Sequence, residues 1–311
     1  MTMGVRGSDG GVARRIGYRL LPGEGFSYLL HLRPREWPIM AAHTALGFIL
    51  AVGVRGALRG EHLGALALGL AIWVILGNGG TLAINSAFDR DEGDIGYLDA
   101  PPPAPRHLAA FAYVLMAAGQ GLSLLLPRGF ALAYAACFAL SVVYSVPPVR
   151  LKAVAGADWV INMIGFGTLT PYAGWALTGR PLPTVVAVVL WSFCALFASL
   201  YPLTQLYQFE EDAKRGDRTL ALMLGMRGSL IVAVGAAVAA FGMLGWAARE
   251  SAARGWQWGT LAFAAACWGA VLLPWLTRYR RMSPAEHQRG MYAALGAWAV
   301  TDLAAIATFA L

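Results

Sequence analysis

The sequence predicts an all-α integral membrane bundle of about nine transmembrane helices, and three observations carry that prediction. Hydrophobic residues make up 58% of the chain and charged residues 13%, with a mean hydropathy of +0.57, whereas a soluble domain carries about 25% charge. Runs of about 20 mostly apolar residues, the length that crosses a hydrocarbon core, recur nine times. The 24 Lys and Arg residues gather in alternate loops between those runs, as positive-inside topology requires.

Residues 1–36 are basic and Gly-rich, with no apolar core long enough for a signal peptide. They read as a cytosolic tail, part of it lying on the membrane, and residues 37–311 form the bundle. Spans are expected near 37–54, 63–84, 107–126, 129–146, 157–178, 183–206, 229–248, 256–276 and 290–310. Short pieces such as Pro101-Pro102-Pro103-Ala104-Pro105 are loops between spans, so the bundle is one domain. One set of loops holds eighteen cations; the other holds only Arg55, Arg59, Arg128, Arg180, Arg249 and Arg254. That bias predicts a cytoplasmic N-terminus and an outside C-terminus in a plasma or inner membrane. The net charge of +7 is spread over these loops with no basic stripe among aromatics, which points to anionic lipid and argues against nucleic acid. Cys137, Cys194 and Cys267 fall inside spans without metal-ligand spacing and read as packing residues.

The acidic residues are the opposite of dispersed. Of 17, five lie between positions 89 and 99 and four between 210 and 217, each group at the end of an apolar run. Such crowding calls for a cation. Asn85, Asp89 and Gly93 stack along one helical face, which makes Asp89 the anchor of the first group. Gly93 can end the helix and release Asp94 toward it. In the second group Gln205, Gln208 and Asp212 share a face, with Glu211 beside them. Carboxylates at helix ends facing a common cavity suit Mg²⁺, which keeps waters and accepts substrate phosphate oxygens.

A diphosphate also wants cationic donors. Tyr144-Ser145-Val146-Pro147-Pro148-Val149-Arg150-Leu151-Lys152 puts Arg150 and Lys152 two residues apart on the same membrane face, where they serve either as donors or as an orientation signal. Phe88, Tyr144, Phe166, Tyr172, Tyr201 and Tyr207 could line a pocket tolerant of a cation, or simply pack. Asp158 and Asn162, four apart at the start of the fifth span, either orient an acceptor, hold Lys152, or cap their helix. Asp302 and His43 lie inside spans, where an interhelical hydrogen bond and ordinary packing are expected.

These segments resemble those of the UbiA superfamily of intramembrane prenyltransferases. Tyr144 to Lys152 fits that family's Y-S/T-x-P-P-x-R-L-K segment in full, and Gly216-Asp217-Arg218-Thr219-Leu220 with Leu224-Gly225 fits the end of its last motif. Four departures stand beside the match: Ser86 replaces the first Asp usual in the family, Gly93 its last, with Asp94 one place on, Gln208 the leading Asp of the final motif, and Ala100 and Pro101 stand where the Pro-rich loop commonly has an Arg. The resemblance implies a helical bundle around a central cavity, Mg²⁺ bridging an isoprenyl diphosphate, and transfer of the prenyl group to a lipophilic acceptor: an aromatic compound, a quinone precursor or a tetrapyrrole. Asp89 and Asp212, with Arg150 and Lys152, are expected to be catalytic. Asp89, Asp94, Glu211 and Asp212 are expected to hold metal, and Asn85, Tyr144, Gln208, Asp158 and Asn162 to bind substrate. Two alternatives remain open at this stage, a membrane terpene cyclase of the same superfamily and a non-catalytic lipid- or ion-binding protein.

Overall fold

The computed structural model describes residues 12–89, 98, 100–207, 209, 213 and 219–311, and these fold into helices joined by short loops. Two short helices, α1 (Val12–Leu20) and α2 (Gly25–His31), precede the bundle. The bundle consists of α3 (Trp37–Leu58), α4 (Leu63–Asp89), α5 (Leu108–Ser123), α6 (Arg128–Ser145), α7 (residues 157–176), α8 (Thr184–Leu206), α9 (Leu220–Glu250), α10 (Gly255–Arg278) and α11 (Pro284–Phe309). Among the described residues, seven helices are long and apolar enough to cross a membrane. At the other two expected positions the helix falls short in length or in apolarity. The apolar run at 107–126 ends in a turn before Pro127, leaving 16 residues in α5, and α7, which includes the wider π-helical stretch Met163–Leu169, carries Asp158, Asn162, Thr168, Thr170 and Pro171. A hydropathy window counts apolar turn residues as span, which is why the sequence suggests nine.

Local chemistry sets several of the boundaries. Ser283 and Glu286 form a reciprocal capping box at the start of α11, with Pro284 in the first turn, where its missing N–H costs nothing. Thr219 caps α9 by accepting from the Leu222 N–H at 3.3 Å. Gly53, at φ 72°, breaks α3 near its end, and the next residue, Val54, donates its N–H to the Ala310 carbonyl at 3.0 Å, tying the two helix ends together.

Burial divides into three clusters. The largest joins α8, α9, α10 and α11 to α3 through side chains such as Phe193, Leu203, Leu244 and Trp268. A second links α3, α4, α6 and α7 around Phe48, Trp73, Phe130 and Tyr134, and a third packs α2, α4 and α5 around Ile84, Leu108 and Met116. Lipid tails are as apolar as leucine, so association here depends on close fit and on polar contacts between helices. His43 Nδ1 meets Asp302 Oδ1 at 3.2 Å, joining α3 to α11. Trp268 donates to Thr301 at 3.1 Å between α10 and α11.

The closest fit lies between α3 and α7. A Cβ on Gly47 would fall on the Pro171 carbonyl, and one on Gly174 would fall on the Thr44 carbonyl, so neither position has room for a side chain. Gly174→Val should cost about 1–3 kcal/mol of overpacking, read as a lower thermal midpoint in detergent. Gly235→Val, where a Cβ meets nothing within 4 Å, should leave that midpoint within the scatter of surface substitutions.

Candidate active site

α4 carries the anchor of the site on its last turns. Asn85 and Asp89 are four residues apart and lie on one face, turned toward the loop that leaves α6. In that loop Pro147–Pro148 is cis, Arg150 takes a left-handed conformation at φ 36°, and Leu151–Ala153 form a single 3₁₀ turn. Lys152 pairs with the Asp89 carboxylate and donates to Asn85 Oδ1 at 3.4 Å. Arg150 Nη2 stands 3.4 Å from Asp89 Oδ1. The Asp89 side chain is only 9% exposed, and a carboxylate so sheltered depends on such partners. Two of the sequence motifs therefore meet at one mouth, in four residues.

A cavity of about 230 Å³ opens beneath that mouth, between α3, α4, α5, α6 and α7. That is slightly smaller than the usual ~300–1,000 Å³ of a ligand pocket. Its walls are largely apolar, with Met40, Trp73, Met116, Phe138 and Phe166 prominent, and Asn85, Tyr144 and Asn162 reach it as well. Both helices with π-helical stretches contribute through them: Trp73 and Asn78 from Ala71–Asn78 in α4, Gly165 and Phe166 from Met163–Leu169 in α7. Such wide turns recur at functional sites because they redirect side chains without ending the helix.

Asp158 sits behind the cavity wall, 2% exposed. Its Oδ1 accepts the Gly156 N–H at 2.8 Å and its Oδ2 accepts the Tyr201 hydroxyl at 2.9 Å, with the Gln205 amide at 3.5 Å. The helix cap is Gly156, so Asp158 does not cap its own helix; it fastens α7 to α8. Asn162 donates to the Asp158 carbonyl at 2.8 Å and, with Tyr201, lies in hydrogen-bonding contact with Tyr144. Gln205 Oε1 accepts the Ala221 N–H at 3.0 Å, which carries the network into α9.

Asp94, Gln208, Glu211 and Asp212 lie outside the described residues. Of the aromatic candidates, Tyr144 and Phe166 line the cavity. Phe88 packs into the α2–α4–α5 cluster, one residue and so about 100° from the face of Asp89. Tyr172 joins the apolar core, Tyr201 binds Asp158, and Tyr207 lines a separate cleft with Met226 and Tyr279.

Sequence reasoning missed a second polar group in the cavity wall. Glu36, just before α3, faces Asn78 of α4, with Arg33 nearby. Arg33 is itself left-handed at φ 49° and donates to Ser86 at 3.3 Å, so a cation meets the position where the first Asp of the resemblance is replaced. Burial pushes the Glu36 carboxyl up to about 7, against the opposing pull of Arg33 and Asn78. The signals were an Arg and a Glu three residues apart at a span entrance and a lone Asn deep in an apolar run. Above the mouth, Arg14 donates to the Ala100 carbonyl at 2.8 Å and His31 meets the Pro102 carbonyl at 3.2 Å, so α1 and α2 hold the proline-rich loop.

Asp89 and Asn85 present only oxygen ligands at a helix end, a donor set that fits a hard cation such as Mg²⁺. Among the described residues no three His, Cys, Asp or Glu side chains form a metal cluster.

A lipid-embedded helical bundle with a charged mouth over an apolar chamber defines an intramembrane transferase. The chain belongs to the UbiA prenyltransferase family, whose model matches residues 40–298. It is 30% identical to a lycopene elongase/hydratase from Haloferax volcanii, covering 72% of each chain. It is 29% identical to a digeranylgeranylglyceryl phosphate synthase from Natronomonas pharaonis, covering 69% of this chain and 78% of that one. The fold also matches a UbiA homologue from Archaeoglobus fulgidus bound to GPP and Mg²⁺, with a TM-score of 0.62 at 20% identity over 92% of this chain and 100% of that one.

Two outcomes follow for stability. Tyr201→Phe removes a hydrogen bond to a buried carboxylate, worth about 1.5–3 kcal/mol, and should lower the thermal midpoint accordingly. Glu36 binds its proton more tightly in the folded chain than a free glutamate at about 4.5 does, so its contribution is complete below about pH 4.5 and is lost as pH rises through 7. Thermal unfolding of the wild type relative to Glu36→Gln should show roughly 3 kcal/mol lost across that window.

Proposed function

We propose that this chain transfers an isoprenyl group from a prenyl diphosphate to a lipophilic acceptor within the bilayer, with Mg²⁺ as cofactor. The observation that carries this reading is the meeting of Asn85, Asp89, Arg150 and Lys152 over an apolar chamber. Diphosphate and hydrocarbon chain are the two chemically opposite halves of one substrate, and mouth and chamber are opposite in the same sense. Asp89 and Asn85 would hold the metal from α4, with Asp94, Glu211 and Asp212 as further proposed ligands and Gln208 beside them. Two described residues flanking the second acidic segment favour this: Gln205 binds Asp158 and Ala221, close behind the cationic loop. When bound, Mg²⁺ would offset negative charge on the departing diphosphate.

The chain's own residues supply the rest. Arg150 and Lys152 donate to diphosphate oxygens as the allylic C–O bond breaks and its electron pair leaves with the diphosphate. The apolar walls exclude water, and the rings of Tyr144 and Phe166 face the allylic cation. Tyr144 and Asn162 shape the wall where the acceptor approaches, and Asp158 positions both through Tyr201 and the α7 backbone. The charge bias of the loops favours a mouth on the cytoplasmic side, with the N-terminus cytoplasmic, the C-terminus outside, and residues 1–36 as a tail preceding the catalytic bundle.

Membranes containing the protein, given Mg²⁺, a prenyl diphosphate and acceptor, should release pyrophosphate. Asp89→Ala or removal of Mg²⁺ with a chelator should reduce that release at least about a hundredfold. Undiminished release by Asp89→Ala would refute the assignment. Equal release without any acceptor, with a cyclic product, would identify a cyclase instead.

A further inference from the structure

The charges at the mouth serve the diphosphate, and none of them reaches the deeper wall of the cavity. Asn78 lies seven residues before Asn85 on α4, two turns or about 10 Å along the helix. There it faces Glu36, the one carboxylate among the described residues lining the cavity. Asn78 is 7% exposed and close enough to Glu36 to temper its carboxyl, yet its Nδ2 lies outside hydrogen-bond geometry with any partner among the described residues. A buried donor left in that state costs about 1–3 kcal/mol. A prenyl chain is hydrocarbon and offers nothing to either group.

A carboxyl and an amide N–H set together in an apolar wall match a ligand atom that donates and accepts at once. We propose that Glu36 and Asn78 form the acceptor subsite of this chain, and that the group they recognise is a hydroxyl. Its oxygen accepts from Asn78 Nδ2 and its O–H donates to the Glu36 carboxyl. This rests on the transferase reading and narrows its acceptor class. A hydrocarbon polyene would leave the Asn78 N–H dry and without a full hydrogen bond, and a site built to bond a hydroxyl rejects an analogue lacking it by large factors. The upward shift of the Glu36 carboxyl does not interfere, since a protonated carboxyl still accepts through its carbonyl oxygen. Arg33 stays engaged with Ser86, which keeps that cation toward the mouth.

The experiment uses the full chain in lipid nanodiscs with Mg²⁺ and geranyl, farnesyl or geranylgeranyl diphosphate. Acceptors are a hydroquinone, a glycerol ether bearing a free hydroxyl, and the polyene lycopene, and products are read by mass spectrometry. The wild type should prenylate a hydroxylated acceptor and leave lycopene untouched. Glu36→Leu should lower transfer to that acceptor about a hundredfold or more, mainly through KM, with the thermal stabilisation by prenyl diphosphate unchanged. Glu36→Gln, which keeps an oxygen acceptor and the side-chain length, should recover most of the loss and covers the case in which the leucine variant does not fold. Prenylation of lycopene alone, or wild-type transfer by both variants, would overturn the subsite while leaving the transferase reading intact. Absence of pyrophosphate release with every acceptor would overturn both.

Discussion

The ion pair between Asp89 and Lys152 fixes the end of one membrane helix to a loop residue 63 positions later, and the architecture around the mouth follows from it. A sheltered carboxylate at the bilayer edge requires a cation, and the cation it finds is carried by a loop held in an unusual backbone path. Once that loop is anchored, α7 must begin where Asp158 can reach Tyr201 on α8. Gln205, one turn further along α8, then binds the first turn of α9. A single run of polar contacts thus passes from α4 through the loop to α7, α8 and α9, along one rim of the chamber. The charges that suit a diphosphate are the same ones that hold the rim together.

The chamber has a different origin. Apolar helices in lipid gain little from hiding their side chains from water, so their arrangement is decided by fit and by a few polar contacts. Here the two helices that carry wide π-helical stretches are neighbours across the cavity, and each stretch delivers wall residues that a regular helix would turn away. Trp73 and Phe166 supply bulk, while Asn78 supplies polarity. His43 with Asp302 holds α11 against α3 away from the chamber, while Thr81 with Ser141 and Tyr134 with the Met116 carbonyl join α4, α5 and α6 in the chamber wall itself.

Much of this was legible in the sequence because it depends on period and composition. Apolar runs gave the spans, and the spacing of Asn85 and Asp89 placed both on one face. Tyr144 to Lys152 marked the cationic loop and its membrane face, while its pairing with Asp89 and Asn85, rather than a Lys152 held by Asp158 or Asn162, came only from the structure. The count of nine was less secure, because hydropathy does not distinguish the end of α5 from the turn that follows. The partner of Asp158 was not legible either: helical phase says which way a side chain faces on its own helix and nothing about which residue of another helix waits there. Glu36 and Asn78 escaped for the same reason. They are forty-two positions apart, and nothing but the crossing of α3 and α4 makes them neighbours.

The glycine seam between α3 and α7 bears on how such a chamber could be remodelled. Enlarging a binding site usually proceeds by trimming side chains, yet at Gly47 and Gly174 there is nothing left to trim, since the backbones already touch. The seam lies beyond the chamber-lining Met40 and Thr170 on those helices and fixes how they cross, so volume for a bulkier donor has to be gained from lining side chains such as Trp73, Phe138 or Met116. Divergence in chain-length preference among descendants of this protein would therefore be written in a handful of large residues, against a seam that stays constant.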